Sequence, residues 1–333
     1  MRDILIIFLS VINCAQIFAQ KEIITFSGFA QGTTYSISYY DDQQQNFQND
    51  IEKILSDFNN SLSLYDSSSI VCRINRNEKN VKVDKYFKVC FEKAMEVSKN
   101  SDGAFDITVG PLVDVWGFGI KKKITVDSAL IDSLKKFVGY KLVEIQGDSV
   151  VKKDSRVTLN FNAIAQGYSV DVISEFLESK KISDFIVEIG GEVYAKGKKQ
   201  DSENWKVGIE KPLDNPTSAN PLTAIVKLYN RAVSTSGNYR KFYIEDGKRY
   251  AHHIDPRTGY PERNNMLSAS VFADKCITAD AYATAFLVMG LEKAEIFLDQ
   301  HPELMVYFIY SDDTGNYKTF ESPGLKEILT ENK

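Results

Sequence analysis

Two apolar rhythms interleave along this chain without settling into a repeat, and that limits the folds open to it. Ile23 to Phe29 and Thr33 to Tyr40 alternate at the two-residue period of strands joined near Gly32. Ile51, Ile54, Leu55 and Phe58 then recur at helical spacing. Phe87, Cys90, Phe91, Ala94 and Val97 mark a second amphipathic helix, stopped by the turn-rich Asn100-Ser101-Asp102-Gly103. Short strands are predicted at Leu142 to Ile145, Val157 to Phe161, Phe185 to Ile189, Trp205 to Ile209, Ala224 to Leu228, Met266 to Phe272 and Met305 to Tyr310. Helices are predicted over Ala163 to Leu177, Thr278 to Met289 and Leu291 to Asp299. A doubly wound sheet requires regular strand-helix-strand alternation, which this order lacks, so the expectation is an α+β fold of mixed sheets with packed helices. At 333 residues, one large domain or two interleaved ones are both open. The loop-like stretches Asp201 to Asn204 and Pro212 to Pro221 do not read as linkers, so a single domain is expected over 22–330.

The formal charge of −5 argues against a nucleic-acid binder held by a general positive field, because phosphate contacts need local excess Lys and Arg. A small phosphorylated ligand needs only one basic or metal-bearing pocket. Tyr and Phe, 17 and 20 of them, supply material for core packing or for stacking on a planar ligand. Met1-Arg2-Asp3 precedes an apolar run from Ile4 that continues to Ala19, the length and order of a secretory signal over residues 1–19. The run is short for a transmembrane span. Cleavage after Ala19 is one outcome; lipid attachment at Cys14 is the other, because Val11-Ile12-Asn13-Cys14 resembles a bacterial lipobox with Asn13 where a small residue is usual. Either way the expectation is an exported protein, periplasmic or lipid-anchored to the inner membrane. Cys72, Cys90 and Cys276 are too widely spaced for a disulfide framework or a zinc site and read as buried small hydrophobes.

Residues 250 to 261, Tyr-Ala-His-His-Ile-Asp-Pro-Arg-Thr-Gly-Tyr-Pro, hold two of the three histidines in the chain. Imidazoles that titrate near neutrality, set beside Asp255 and Arg257, suit proton transfer near a phosphate; a polar turn with exposed histidines is the plain alternative. Gly103 to Gly119 packs glycines around Ala104, Phe105, Asp106, Trp116 and Phe118, either a slot for a flat ligand or a loop junction over a buried Trp. Asn160 to Tyr168 leads into a helix start, where backbone N–H groups and the helix dipole favour a pyrophosphate, though ordinary strand-to-helix turns look alike. Gly190-Gly191-Glu192 reads as a tight turn between strands. Thr235 to Arg240 offers hydroxyls, a glycine and a cation for phosphate oxygens, or a polar hairpin turn. Asp280 and Thr284 lie four apart on one helix face, hard oxygens that suit Mg²⁺ unless they are a helix-start acid and a packed Thr.

In this order the segments resemble the ApbE family of bacterial FAD:protein FMN transferases. The resemblance runs from Gln31-Gly32-Thr33 through Ser63-Leu64-Tyr65, Gly103 to Gly119, Asn162 to Asp171, Gly190 to Glu192, Thr235 to Arg240 and His252 to Pro261, ending at Ala279 to Thr284. It implies an ApbE-like fold with an active-site cleft between two interleaved subdomains. It also implies that the FMN half of FAD passes through its phosphate to a threonine or serine hydroxyl of a partner protein, with AMP released and Mg²⁺ at the diphosphate. The acceptor in such a family is a redox-pump subunit or an extracellular electron-transfer protein.

Carried over by register, His252 is the general base with His253 as fallback, and Asp255 stands beside them. FAD contacts fall at Gln31, Tyr65, Ala104, Phe105, Asp106, Asn160, Gln166 and Ile254, with Ser236 and Gly237 beside the phosphates. Metal positions fall at the Ala163 carbonyl, Asp280, Ala283 and Thr284. Gln31, Asn160, Gln166 and Ala283 depart from the family's common residues, and at Ala283, where an oxygen-bearing side chain is usual, the metal is expected to take one more water. Two other readings compete: a FAD pyrophosphatase releasing FMN and AMP, and a protein that binds FAD without cleaving it.

Overall fold

A computed structural model of the chain describes residues 22–119, 124–212, 221–238, 242–245 and 248–331. The predicted leader at 1–19, Cys14 and Arg240 lie outside them. The first hairpin, β1 (Ile23–Ala30) and β2 (Thr33–Tyr40), turns at Gln31 and Gly32, both at positive φ. Helices α1 (Gln48–Leu62), α2 (Ile70–Asn75) and α3 (Lys85–Asn100) follow, the last begun by Asp84, whose carboxylate accepts the Phe87 N–H at 2.8 Å. Next come α4 (Gly110–Val115), α5 (Ser128–Lys135), the hairpin β3 (Val143–Gln146) and β4 (Ser149–Lys152), and α6 (Ala165–Ser179). Strands β5 (Phe185–Ile189), β6 (Glu192–Lys196), β7 (Trp205–Glu210), β8 (Leu222–Leu228) and β9 (Arg231–Gly237) precede a second hairpin, β10 (Phe242–Glu245) and β11 (Lys248–Ala251). The chain continues through β12 (Met266–Ala273), α7 (Cys276–Met289), α8 (Leu291–Leu298), β13 (Met305–Ser311), β14 (Tyr317–Glu321) and β15 (Leu329–Glu331).

An eight-stranded antiparallel sheet in the order β1-β2-β5-β6-β9-β12-β13-β14 forms the centre. Its central strands are covered on both faces, which explains why β12 is buried along nearly its whole length. Ala269 and Val271 of β12 join the main core beneath the helices, while Phe272 joins Trp205, Val226 and Tyr307 in a second core against the three-stranded sheet β15-β8-β7. Helix α7 packs on β12, β9 and α6 and is apolar around most of its circumference, with Asp280 and Thr284 as the polar positions that reach the cleft. The mixed α+β expectation holds, and the helices and strands named from periodicity fall where expected, with one exception.

The strand expected over Val157 to Phe161 is absent. Val157, Leu159 and Phe161 do alternate into the main core. The backbone between them, however, is paired by a side chain: the Asn75 amide donates to the Leu159 carbonyl at 2.9 Å and accepts its N–H at 2.8 Å. Periodicity registers the burial and is blind to what satisfies the backbone.

A third, smaller core gathers Leu112, Trp116, Ile131 and Ile254, with Tyr243 and Tyr250 packed against it. The indole N–H of Trp116 donates to the Gly259 carbonyl at 2.9 Å, tying the glycine-rich segment to the histidine segment across the fold. Gly259 sits at φ 84 with Ile131 where a Cβ would lie, so this turn requires glycine. Among the described residues, no helix is long and apolar enough to cross a membrane.

Candidate active site

A cleft of about 320 Å³ opens between the main and third cores. One wall comes from Ala104, Phe105 and Asp106, then Val109, Val113 and Phe118, together with His252, His253, Ile254 and Pro256 beside them. The other comes from Asn160, Asn162, Ala163 and Gln166 at the start of α6, Gly190 and Glu192 at the β5–β6 turn, Thr235 to Gly237 on β9, and Asp280 and Thr284 on α7. Tyr65 stands at the edge with 78% of its surface exposed, an aromatic face available to a planar ring.

Strand and helix periods meet at the polar end. Ser234 and Ser236, two apart on β9, present hydroxyls to Asp280 and Thr284, four apart on α7: Ser234 Oγ lies 3.5 Å from Asp280 Oδ1, and Ser236 Oγ 3.2 Å from Thr284 Oγ1. Asp280 also accepts the Gly167 N–H from the first turn of α6 at 2.9 Å. Gly167 has no alternative there, because a Cβ would stand 2.5 Å from the Cys276 carbonyl. Burial pushes the Asp280 carboxyl up to about 7 against these two hydrogen bonds, which favour the ionised form. Asp280, Thr284 and the Ala163 backbone carbonyl are all hard oxygen donors, the chemistry Mg²⁺ requires.

The imidazoles lie on the opposite wall. The rings of His252 and His253 are 3.9 Å apart between centroids, and Phe118 sits edge-on 6.3 Å from His252. His253 is buried, and its Nδ1 has no hydrogen-bond partner among the described residues. Burial, and then the charge of His252, hold it well below the usual imidazole range, so it is neutral at pH 7.

Asp106 lines the cleft but is engaged behind it, accepting the Thr108 N–H and hydroxyl and the Tyr140 N–H at 2.7, 2.6 and 2.6 Å. Three of the residues expected at the site stand outside the lining. Asp255 takes the Arg257 backbone N–H and both sides of its guanidinium at 2.9 Å, which makes it the brace of the histidine turn. Ala283 is fully buried in the main core, its methyl packed with the apolar side of α7, so it brings no oxygen to the metal positions. Gln31 holds the β1–β2 turn at φ 53, with its Nε2 buried and without a partner among the described residues. The remaining expected residues meet in the one cleft. Two polar residues here were not singled out from sequence: Glu192 in the lining, read as part of a turn, and Ser234, buried behind it against Asp280, one position before the segment that drew attention.

The ApbE family model matches residues 31–308. A Haemophilus influenzae protein named FAD:protein FMN transferase is 34% identical over 94% of this chain and 94% of its own length. A Vibrio cholerae protein of the same name is 32% identical over 99% of this chain and 100% of its own length. Among solved structures, the flavin transferase ApbE from Vibrio cholerae superposes with a TM-score of 0.83 at 31% identity, covering 92% of this chain and 99% of that one. The apo form of the Pseudomonas stutzeri flavinyl transferase ApbE also gives 0.83, at 29% identity over 93% and 98%.

Proposed function

The chain belongs to the ApbE family, and on that premise we propose that it is a transferase that moves the FMN half of FAD onto a threonine or serine hydroxyl of an acceptor protein, releasing AMP. The observation that carries this reading is the convergence of an aromatic slot, a cluster of hard oxygens and an imidazole pair in one cleft.

The flavin ring is to lie against Phe105 and Phe118, with Tyr65 at the edge. The diphosphate then reaches Asn160, Gln166 and the β9 hydroxyls near the start of α6, where backbone N–H groups favour anions. Mg²⁺, when bound, supplies charge neutralisation along the diphosphate. Asp280, Thr284 and the Ala163 carbonyl would hold it. His252 takes the proton of the acceptor hydroxyl as its oxygen attacks the FMN phosphorus. The new oxygen–phosphorus bond forms while the bond to the AMP phosphate breaks, and the AMP oxygen leaves with the electron pair. Neutral His253, packed against His252, restricts the orientation of that ring.

Purified protein incubated with FAD and Mg²⁺, with and without a candidate acceptor co-expressed beside it, tests the reading. One FMN added to the acceptor mass, with AMP released in step, is expected; EDTA should abolish both. Free FMN and AMP regardless of acceptor would make the protein a pyrophosphatase, and intact FAD throughout would make it a binding protein. The charged-then-apolar start at 1–19 further supports export, with either Gln20 as the mature N-terminus or an acylated Cys14; mass measurement of the mature chain decides between them.

A further inference from the structure

Glu192 opens β6 after a turn that needs two glycines, Gly190 at φ 68 and Gly191 at φ 105. Its side chain lines the cleft yet is buried, and its Oε2 has no hydrogen-bond partner among the described residues. Its other oxygen lies 3.4 Å from Ser234 Oγ, the same hydroxyl that lies 3.5 Å from Asp280 Oδ1. One hydroxyl has one proton, so Ser234 can satisfy one of these acids and not both. The charged groups acting on Glu192 are Asp280 and Glu188, and both are acids. An orphaned buried oxygen beside a second buried carboxylate is unfavourable unless a proton or a cation joins them.

We propose that Glu192 is a further anchor for the divalent cation, its Oε2 supplying, directly or through one water, the oxygen that Ala283 does not. The inference rests on the transferase reading for the identity of the cation, and it places one ligand on the sheet where the others come from α7 and the start of α6. A ligand at the β5–β6 turn lets the cation hold the sheet and both helices together. Hard oxygen donors of this kind suit Mg²⁺ or Mn²⁺.

Binding of Mn²⁺ to metal-free protein, followed by electron paramagnetic resonance, tests this in the wild type, Glu192→Gln, Glu192→Asp and Asp280→Asn. The Gln variant is expected to bind about 10-fold or more weakly, the loss typical of removing a supporting group at a metal site. The Asp variant, which keeps the charge one methylene short, should fall between it and the wild type. Without metal, Glu192→Gln should melt no lower than the wild type, because the amide relieves the acid pair. Mn²⁺ affinity within about twofold of wild type, outside the loss expected for such a group, would overturn the proposal. So would equal losses in the Asp and Gln variants, or a Gln variant that does not fold. Flavin transfer by the wild type, run in parallel, judges the transferase reading separately. Failed transfer with Glu192-dependent Mn²⁺ binding would overturn that reading and leave the anchor standing.

Discussion

Adjacent in sequence and 3.9 Å apart between ring centroids, His252 and His253 are separated in role by burial. An imidazole held well below its usual range is a poor place to leave a proton taken from a hydroxyl, and His253 is in that state. His252 is less buried and shares the cleft lining. His252→Ala should therefore slow AMP release in single turnover by about 10²–10⁴, with FAD affinity little changed. If His253→Ala gives that loss and His252→Ala does not, the base is His253. Asp255 behaves differently, since its carboxylate is consumed by Arg257. Asp255→Ala should lower stability by roughly 1–3 kcal/mol through the unpaired partners it leaves, and should slow turnover per folded molecule less than His252→Ala does, because Asp255 braces the turn without lining the cleft. Both histidines and Asp255 were legible in the sequence because rare residue types cluster there. What the sequence could not supply is which of them faces the cleft, since that depends on a turn held by Trp116 from 143 positions away.

At the level of elements, the close approach of α6 to α7 fixes the polar end of the site. A methyl at Gly167 would lie 2.5 Å from the Cys276 carbonyl and 2.6 Å from Asp280 Cβ, so the helices must part. Gly167→Ala should cost about 1–3 kcal/mol as an overpacked contact, and calorimetry should find it together with weakened Mn²⁺ binding. Loss of stability with metal affinity intact would detach the helix contact from the site. Asp171 of α6 makes the second tie, accepting the Cys276 and Ile277 N–H groups at the start of α7 at 2.8 and 2.9 Å. Burial raises its carboxyl from 3.8 to about 6, so the folded state holds the proton more tightly than the unfolded chain. The folded form therefore binds more protons across that window, and this group's contribution to stability falls as pH rises from about 3.8 to about 6, then levels. Asp171→Asn removes the titration, so the melting-temperature deficit of the variant should shrink as pH rises through the window; a constant deficit would contradict it. Neither tie was readable in advance, because each joins residues more than 100 positions apart. β9 went unread for a related reason: Arg-Ala-Val-Ser-Thr-Ser-Gly looks like a turn, and its serines are polar because they face Asp280 and Thr284.

Across the whole molecule the site is a seam between unequal cores. The main core spans most of the helices and of the eight-stranded sheet, whereas four buried residues anchor the third core, stiffened by the stacked rings of Trp116, Tyr250, Tyr243 and Phe118. Less buried apolar surface means a lower free energy of local opening, so the wall carrying Val113, Phe118 and the histidines should open before the wall carrying Asp280. A ligand that bridges the seam must stabilise both walls, since binding to the closed form alone shifts the opening equilibrium by mass action. Hydrogen exchange on the metal-free protein should accordingly be faster at the non-proline amides of 111–118 and 250–261 than in β5, β12 and α7. FAD with Mg²⁺ should then slow the fast set most and also slow the first turn of α6, where the Gly167 N–H meets Asp280. Protection confined to the first wall would mean that the dinucleotide sits on the third core alone and that the oxygens across the cleft do not engage it. Trp116→Phe sharpens the comparison by keeping the ring and deleting its bond to Gly259, a loss of about 1 kcal/mol for a neutral hydrogen bond. Exchange should then quicken at 250–261 while the rates in β12 stay as they were, because the two walls draw on separate cores.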